Sequence, residues 1–223
     1  MRHVLVITAK APVAGKVKTR LVPPLAIEEA ARFYRCCLED TVEKVSRLPG
    51  IEGALAYTPP ESRADFEEWI PPGFLLFPQE GPDLGARMLG CFERCQQEGA
   101  RRVALYGADL PHVPPAVLKK GFELLEDTDL VLGPATDGGY YFIGAKIPHP
   151  PLFMEMAWGG AGVFQETRDR ATRLGLRIRQ IETMSDVDTP IDLRHLDRVL
   201  SQVSENLAPR TRRFLLEEMA GTL

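Results

Sequence analysis

The chain has 223 residues, 44% of them hydrophobic and 26% charged, and carries a formal net charge of −4. That length and mix suit one soluble α/β domain with a sizeable core, and the negative balance argues against nonspecific nucleic-acid binding. No apolar run approaches the length of a bilayer span, and none of the four cysteines (Cys36, Cys37, Cys91, Cys95) has C-x-x-C spacing, so zinc-knuckle and redox roles give way to small buried or half-buried thiols in a reduced, cytoplasmic protein.

The first apolar run, 4–8, meets a lysine at once and is too short for a secretory signal. Its β-branched residues suit a strand buried on both faces, as in a parallel sheet. A basic loop follows, then a helix over 27–48 whose apolar positions recur at three and four, from Ala30 and Phe33 to Val42 and Val45. Residues 52–58 read as a strand, 61–69 as a short helix between proline pairs, and 74–78 as a strand. The next helix begins near Asp83, its expected N-cap, and stops at Gly99. A strand over 101–107 runs into the turn "GADLP", and a proline-led helix follows. "DLVLGPATDGGYYFIGA" gives two strands about a tight glycine turn, so one of them is expected antiparallel. Helix 161–174, strand 177–181, helix 191–203 and a last helix after Pro209 complete the chain. Alternating strands and helices without a linker predict a single domain, 1–223, built on a mostly parallel, mixed sheet with helices on both faces.

Ligands of open α/β sheets gather beyond the carboxyl ends of the strands. The loop after the first strand carries Lys10, Lys16, Lys18 and Arg20 within eleven residues and no acid. Two such cations about 10 Å apart repel by roughly 1–2 kcal/mol at an effective dielectric near 20. Folded over a cleft, the loop calls for an anion, and phosphates held also by backbone N–H groups around Gly15 would supply it; splayed into water, it is only a solvated loop. The stretch is neither a Walker A loop nor G-x-G-x-x-G. Asp109 follows a buried strand and either aims a carboxylate at a divalent cation or closes a turn. In "MSDVDTPIDL", Thr189, Pro190 and Asp192 read as N-cap, N1 and N3 of a helix. That leaves Asp186 and Asp188 free, and they suggest a second metal ligand facing the basic loop. Asp137-Gly138-Gly139 is a hairpin turn, or a place where a sugar lies close to backbone with Asp137 as hydrogen-bond acceptor or base. His112 is the histidine nearest a candidate site, and no nucleophile motif such as G-x-S-x-G is present.

Five ordered blocks, "AKAPVAGKVKTRL", "DLGARM", "GADLP", "GPATDGGYYFIGA" and "DVDTPIDL", together resemble the signature of a bacterial glycosyltransferase-like family linked by neighbourhood to radical-SAM and arsenosugar pathways. That family is similar in fold to the nucleotide-diphospho-sugar transferases (GT-A or SpsA-like). The resemblance runs from Val4 to about Leu196. More distantly, the blocks resemble the guanylyltransferases of 2-phospho-L-lactate and of the molybdenum cofactor. The resemblance implies a metal-dependent transfer of a sugar from a nucleotide sugar to a small acceptor, or else nucleotidyl transfer from an NTP with release of pyrophosphate. A catalytically idle nucleotide-binding protein is the third reading. The resemblance implies Asp109 and Asp188 as ligands of Mg²⁺ or Mn²⁺, and Asp109 and Asp137 are expected as the catalytic carboxylates. Lys10, Gly15, Lys16, Lys18 and Arg20 become phosphate contacts, and Asp137, Gly138, Gly139, Tyr140 and Trp158 the sugar or acceptor pocket. Two departures stand out. "WGGAG" (158–162) replaces W-S-[ST], which removes a hydroxyl that caps a helix or meets the acceptor, and "GADLP" replaces S-D-C-P with its Asp kept.

Overall fold

The computed structural model describes residues 2–218, so Met1 and 219–223 of the expected domain lie outside it. Seven strands form one sheet: β1 (His3–Lys10), β2 (Glu52–Thr58), β3 (Leu75–Pro78), β4 (Arg102–Gly107), β5 (Leu130–Pro134), β6 (Tyr140–Ala145) and β7 (Ile178–Gln180). Their spatial order is β3-β2-β1-β4-β6-β5-β7. Strand β6 runs antiparallel to both β4 and β5, while every other pairing is parallel. The glycine turn accounts for this reversal. Ala135 N–H donates to Gly139 O and Gly139 N–H to Asp137 Oδ1, so the chain doubles back within five residues, too few for a crossover.

The β-branched run of β1 is buried on both sides. Leu5, Ile7 and Ala9 pack with Tyr34, Leu38 and Val42 of α1 (Ile27–Ser46) and with Leu118 and Phe122 of α4 (Pro115–Leu124). Val4 and Val6 pack with Met88, Phe92 and Cys95 of α3 (Leu84–Gln97), and Ala171 of α5 (Val163–Arg173) joins the same cluster. Each such fully buried aliphatic side chain stabilises the fold by roughly 1.5–3 kcal/mol before its entropy cost. Helix α1 also uses its outer side: Phe33 and Cys37 meet Leu193, Leu196 and Leu200 of α6 (Pro190–Ser201) and Phe214 of α7 (Pro209–Glu218). This third layer was not anticipated. It explains why α1 lacks a broad polar face.

The short helix expected over 61–69 divides into a 3₁₀ turn, Pro60–Arg63, and a single α-turn α2, Ala64–Glu67, with non-helical torsions at Ser62. Pro59 and Pro60 donate no N–H, and the Ser62 hydroxyl bonds Pro59 O at 2.7 Å. The four cysteines are free thiols, three of them buried. No helix among the described residues is long and apolar enough to cross a membrane.

Candidate active site

The carboxyl ends of β1, β2, β3 and β4 open into a cleft. Gln79, just past β3, holds two of them together: its buried amide donates to Ala56 O at 2.7 Å and to Ala9 O at 3.2 Å. Beyond Lys10 the chain loops to a 3₁₀ turn, Thr19–Leu21. Lys18 caps that turn in the left-handed region, φ 47° and ψ 36°, a conformation that costs a non-glycine residue of order 1–3 kcal/mol. The twist turns the Lys18 side chain inward until only 3% of it is exposed.

Lys18 Nζ lies 2.9 Å from Asp109 Oδ2 and 3.5 Å from Asp188 Oδ1, and Arg20 completes the cluster at 2.9 Å from Asp188 Oδ2. Three distant segments thus meet at one ammonium. Burial alone would lower the Lys18 pKa, but Asp109 first and then Asp188 outweigh it and raise the pKa. The carboxylates are 40% and 38% exposed and face the cleft.

Both acids are held from behind. The turn carrying Asp109 is pinned at Leu110 O, which accepts from the Tyr106 hydroxyl and, at 3.4 Å, from buried Lys44 Nζ. Asp188 sits on the lead-in to α6, where Asp192 Oδ2 accepts from Asp188 N–H at 3.1 Å, Thr189 N–H at 2.7 Å and the Thr189 hydroxyl at 2.7 Å. The expected box at Thr189-Pro190-Asp192 is therefore present, with the threonine hydroxyl donating to Asp192. Asp186, two residues earlier, is half-buried. Burial first, then the charges of Asp137 and Asp188, against that of Lys18, hold its carboxyl above the usual range.

The cleft has two chambers. The first, of about 360 Å³, is lined by Lys10, Lys16, Lys18, Arg20, Asp109 and Asp188, with Thr8, Thr58, Gln79 and Arg87 among its other walls. The second, of about 250 Å³, shares Thr8, Leu84 and Gly107 with the first and is lined by Asp137, Gly139, Tyr140 and Trp158 together with Met88, Ile143 and Val163. Gly85 allows the Trp158 ring to lie against α3, because a Cβ there would sit 2.0 Å from Phe153 O and 2.8 Å from the indole nitrogen.

Two of the expected site residues fall outside both chambers. Gly15, at φ 76°, lines a separate hollow with Val17, Thr19 and Ile27, so its loop turns its basic side chains to the cleft and its glycine away. Gly138, at φ 92°, is packed on Ala161, whose carbonyl would be 2.0 Å from an added Cβ, so the turn requires a glycine there. Asp109 and Asp137, expected as the two catalytic carboxylates, line different chambers. Asp83 is the N-cap of α3, with Ala86 N–H donating to Oδ1 at 2.8 Å; the N-cap of α5 is Gly162, two residues past the 159–160 positions where the hydroxyls are missing. His112 is buried, its Nδ1 has no partner among the described residues, and it lines neither chamber. Arg87 was missed as a cleft cation. It lies on the first turn of α3, just past the carboxyl end of β3, where the strand-end rule points as surely as after β1.

The sheet order and this cleft give the chain the fold of the nucleotide-diphospho-sugar transferases, a fold of transferases. It superposes with a TM-score of 0.91 on a protein of Desulfovibrio desulfuricans G20 described as a "putative nucleotide-diphospho-sugar transferase", 33% identical over 99% of this chain and 96% of the other. The chain belongs to the family described as "Uncharacterized protein conserved in bacteria (DUF2064)", whose pattern matches residues 41–160. More distant likenesses show the fold alone. One is a cytidylyltransferase of Leptospira borgpetersenii, with a TM-score of 0.55 and 10% identity over 99% and 96% of the two chains. Another is CMP:2-keto-3-deoxy-manno-octonic acid synthetase complexed with CTP, at 0.52 and 14% over 91% and 99%. No curated protein matches the sequence.

Proposed function

We propose that the protein is a glycosyltransferase that binds the diphosphate of a nucleotide sugar in the first chamber and presents the sugar to a small acceptor in the second. The observation that carries this reading is the meeting of Lys18 and Arg20 with Asp109 and Asp188, ringed by Lys10, Lys16 and Arg87. Five cations against two acids leave the chamber with an excess of positive charge that a polyphosphate would offset.

The residues fit a divalent cation. Asp109 and Asp188 already flank one positive charge, and Mg²⁺ typically takes one or two protein carboxylates plus phosphate oxygens. Among the described residues no three His, Cys, Asp or Glu side chains form a metal site by themselves, so the ion would arrive with the nucleotide. Asp109 and Asp188 would hold Mg²⁺ or Mn²⁺, which supplies charge neutralisation of the leaving diphosphate. The side chains do the rest. Charge grows on the departing oxygen as the bond to the sugar breaks, and Lys16, Lys18, Arg20 and Arg87 lie preplaced to stabilise it. Asp137 orients the acceptor hydroxyl or takes its proton.

The size of the cation cluster favours a second reading, nucleotidyl transfer from an NTP, since a triphosphate carries more charge than a diphosphate. Incubation with nucleotide sugars and NTPs, with and without Mn²⁺, separates the two. Mn²⁺-dependent release of nucleoside diphosphate and sugar is expected; release of pyrophosphate establishes the second reading instead. Asp109→Asn is expected to lose the metal-dependent part of nucleotide binding while remaining folded, with a lowered melting temperature because buried Lys18 loses its nearer counter-charge. Unchanged affinity in that variant removes Asp109 from the site.

A further inference from the structure

The two chambers share a wall but not a charge. The first carries Lys10, Lys16, Lys18, Arg20 and Arg87. The second has Asp137 as its one charged residue among the described residues and no lysine, arginine or histidine. Its apolar and aromatic walls include Leu84, Met88, Tyr140, Ile143, Trp158 and Val163, with Thr8 and the glycines 159 and 160 among the rest. Asp137 Oδ1 is engaged by Gly139 N–H at 2.9 Å, and among the described residues no hydrogen bond occupies Oδ2. An anion entering this chamber would lose water to apolar walls and meet a carboxylate in place of a counter-charge. A flat apolar body lies well against Trp158 and Tyr140, and a hydroxyl or amine has an acceptor in Asp137.

We propose that the second chamber takes an acceptor with no anionic group: a small molecule with a flat or apolar body and one hydrogen-bond-donating hydroxyl or amine directed at Asp137. This rests on the reading of the first chamber as the polyphosphate site, and it narrows the acceptor. A phosphorylated or carboxylated substrate has no place in the second chamber.

Three molecules of one shape test it: phenethylamine (cation), 2-phenylethanol (neutral) and phenylacetate (anion). The chain has two tryptophans, Trp158 in the chamber and Trp69, which packs on Phe66 away from it. Emission excited at the red edge therefore reports binding, and in Trp158→Leu the remaining Trp69 signal reports that the chain is folded. The amine and the alcohol are expected to bind with dissociation constants at least about tenfold below that of phenylacetate. In folded Trp158→Leu the emission change is expected to vanish. Asp137→Asn, which keeps the Oδ1 that Gly139 needs but puts an N–H donor where Oδ2 was free, is expected to remove the amine's advantage over the alcohol, since the amine loses both the charge and the acceptor while the alcohol hydroxyl can turn to accept from the new N–H. Phenylacetate binding as well as the other two, or no binding by any of the three, overturns the proposal. Asp137→Asn leaving the amine's advantage intact does the same. None of these titrations contains nucleotide, so they fail or succeed independently of nucleoside-diphosphate binding, which is read separately in wild type and Asp109→Asn.

Discussion

Lys18 and His112 show how differently buried polar groups are used in this chain. Lys18 keeps its charge because two carboxylates from opposite parts of the sequence compensate its burial. Among the described residues His112 has no such partner: burial first, then Lys44 and His195, push its pKa from 6.5 to about 4. The folded chain therefore holds His112 neutral, while the unfolded chain protonates it below about pH 6.5. Between those pH values the unfolded state binds the extra proton, so stability falls as pH drops, by about 3 kcal/mol in all. Denaturant titrations at pH 7 and pH 4.5 are expected to differ accordingly, and His112→Phe is expected to remove about one proton's worth of that slope. An identical slope in the variant would place the effect elsewhere. At this scale the sequence was only partly legible. Lys10, Lys16, Lys18, Arg20, Asp109 and Asp188 follow from position after a strand. The inward turn of Lys18 depends on a left-handed torsion that no side-chain type announces, and the outward turn of Gly15 follows from the same loop's path.

Among the elements, the docking of α7 on α1 hangs on one carboxylate. Asp40 of α1 is buried. Its Oδ2 accepts from Thr211 N–H and the Thr211 hydroxyl, both at 2.8 Å, and its Oδ1 accepts from Arg210 N–H at 3.1 Å and from the Arg210 guanidinium at 3.2 Å. It thus caps the first turn of α7 from a neighbouring helix. Asp40→Ala leaves the buried N–H and hydroxyl of Thr211 without this acceptor, while exposed Arg210 keeps Glu39 and Glu43, and is expected to destabilise the fold by about 3 kcal/mol, with protease cleavage appearing first in α7. Asp40→Asn keeps an acceptor and is expected to lose less. Equal stability of the alanine variant and wild type would show that Phe214, Leu215 and the Arg210 pairs with Glu39 and Glu43 hold α7 without Asp40. The existence and order of the elements were readable because most strands are short apolar runs with a glycine or proline nearby and each long helix has three-four periodicity; β7, Ile178–Gln180, is the polar exception. The glycine turn at 137–139 even foretold the antiparallel β6. The α6–α7 layer was not readable, since Asp40 and Thr211 are 171 residues apart and neither has a local signature of pairing.

Over the whole molecule, charge is sorted rather than spread. The net charge of −4 conceals a chamber rich in cations beside one that has a single acid. The sorting follows from topology. The parallel half of the sheet delivers the basic loop and Asp109 to one side of Gly107, and the reversed β6 delivers Asp137, Gly139 and Tyr140 to the other. The strand-end rule located both regions in the sequence, but the division between them needed the strand order, which residue patterns do not encode. The account stands on polyphosphate binding where Lys18 meets Asp109 and Asp188. A crystal structure with a nucleoside diphosphate and Mn²⁺ tests that most directly. The account predicts Mn²⁺ anomalous density between Asp109 and Asp188, with the phosphates against Lys18 and Arg20. Phosphates in the second chamber, or bound elsewhere while the Lys18–Asp109 pair stays as it is, would contradict it.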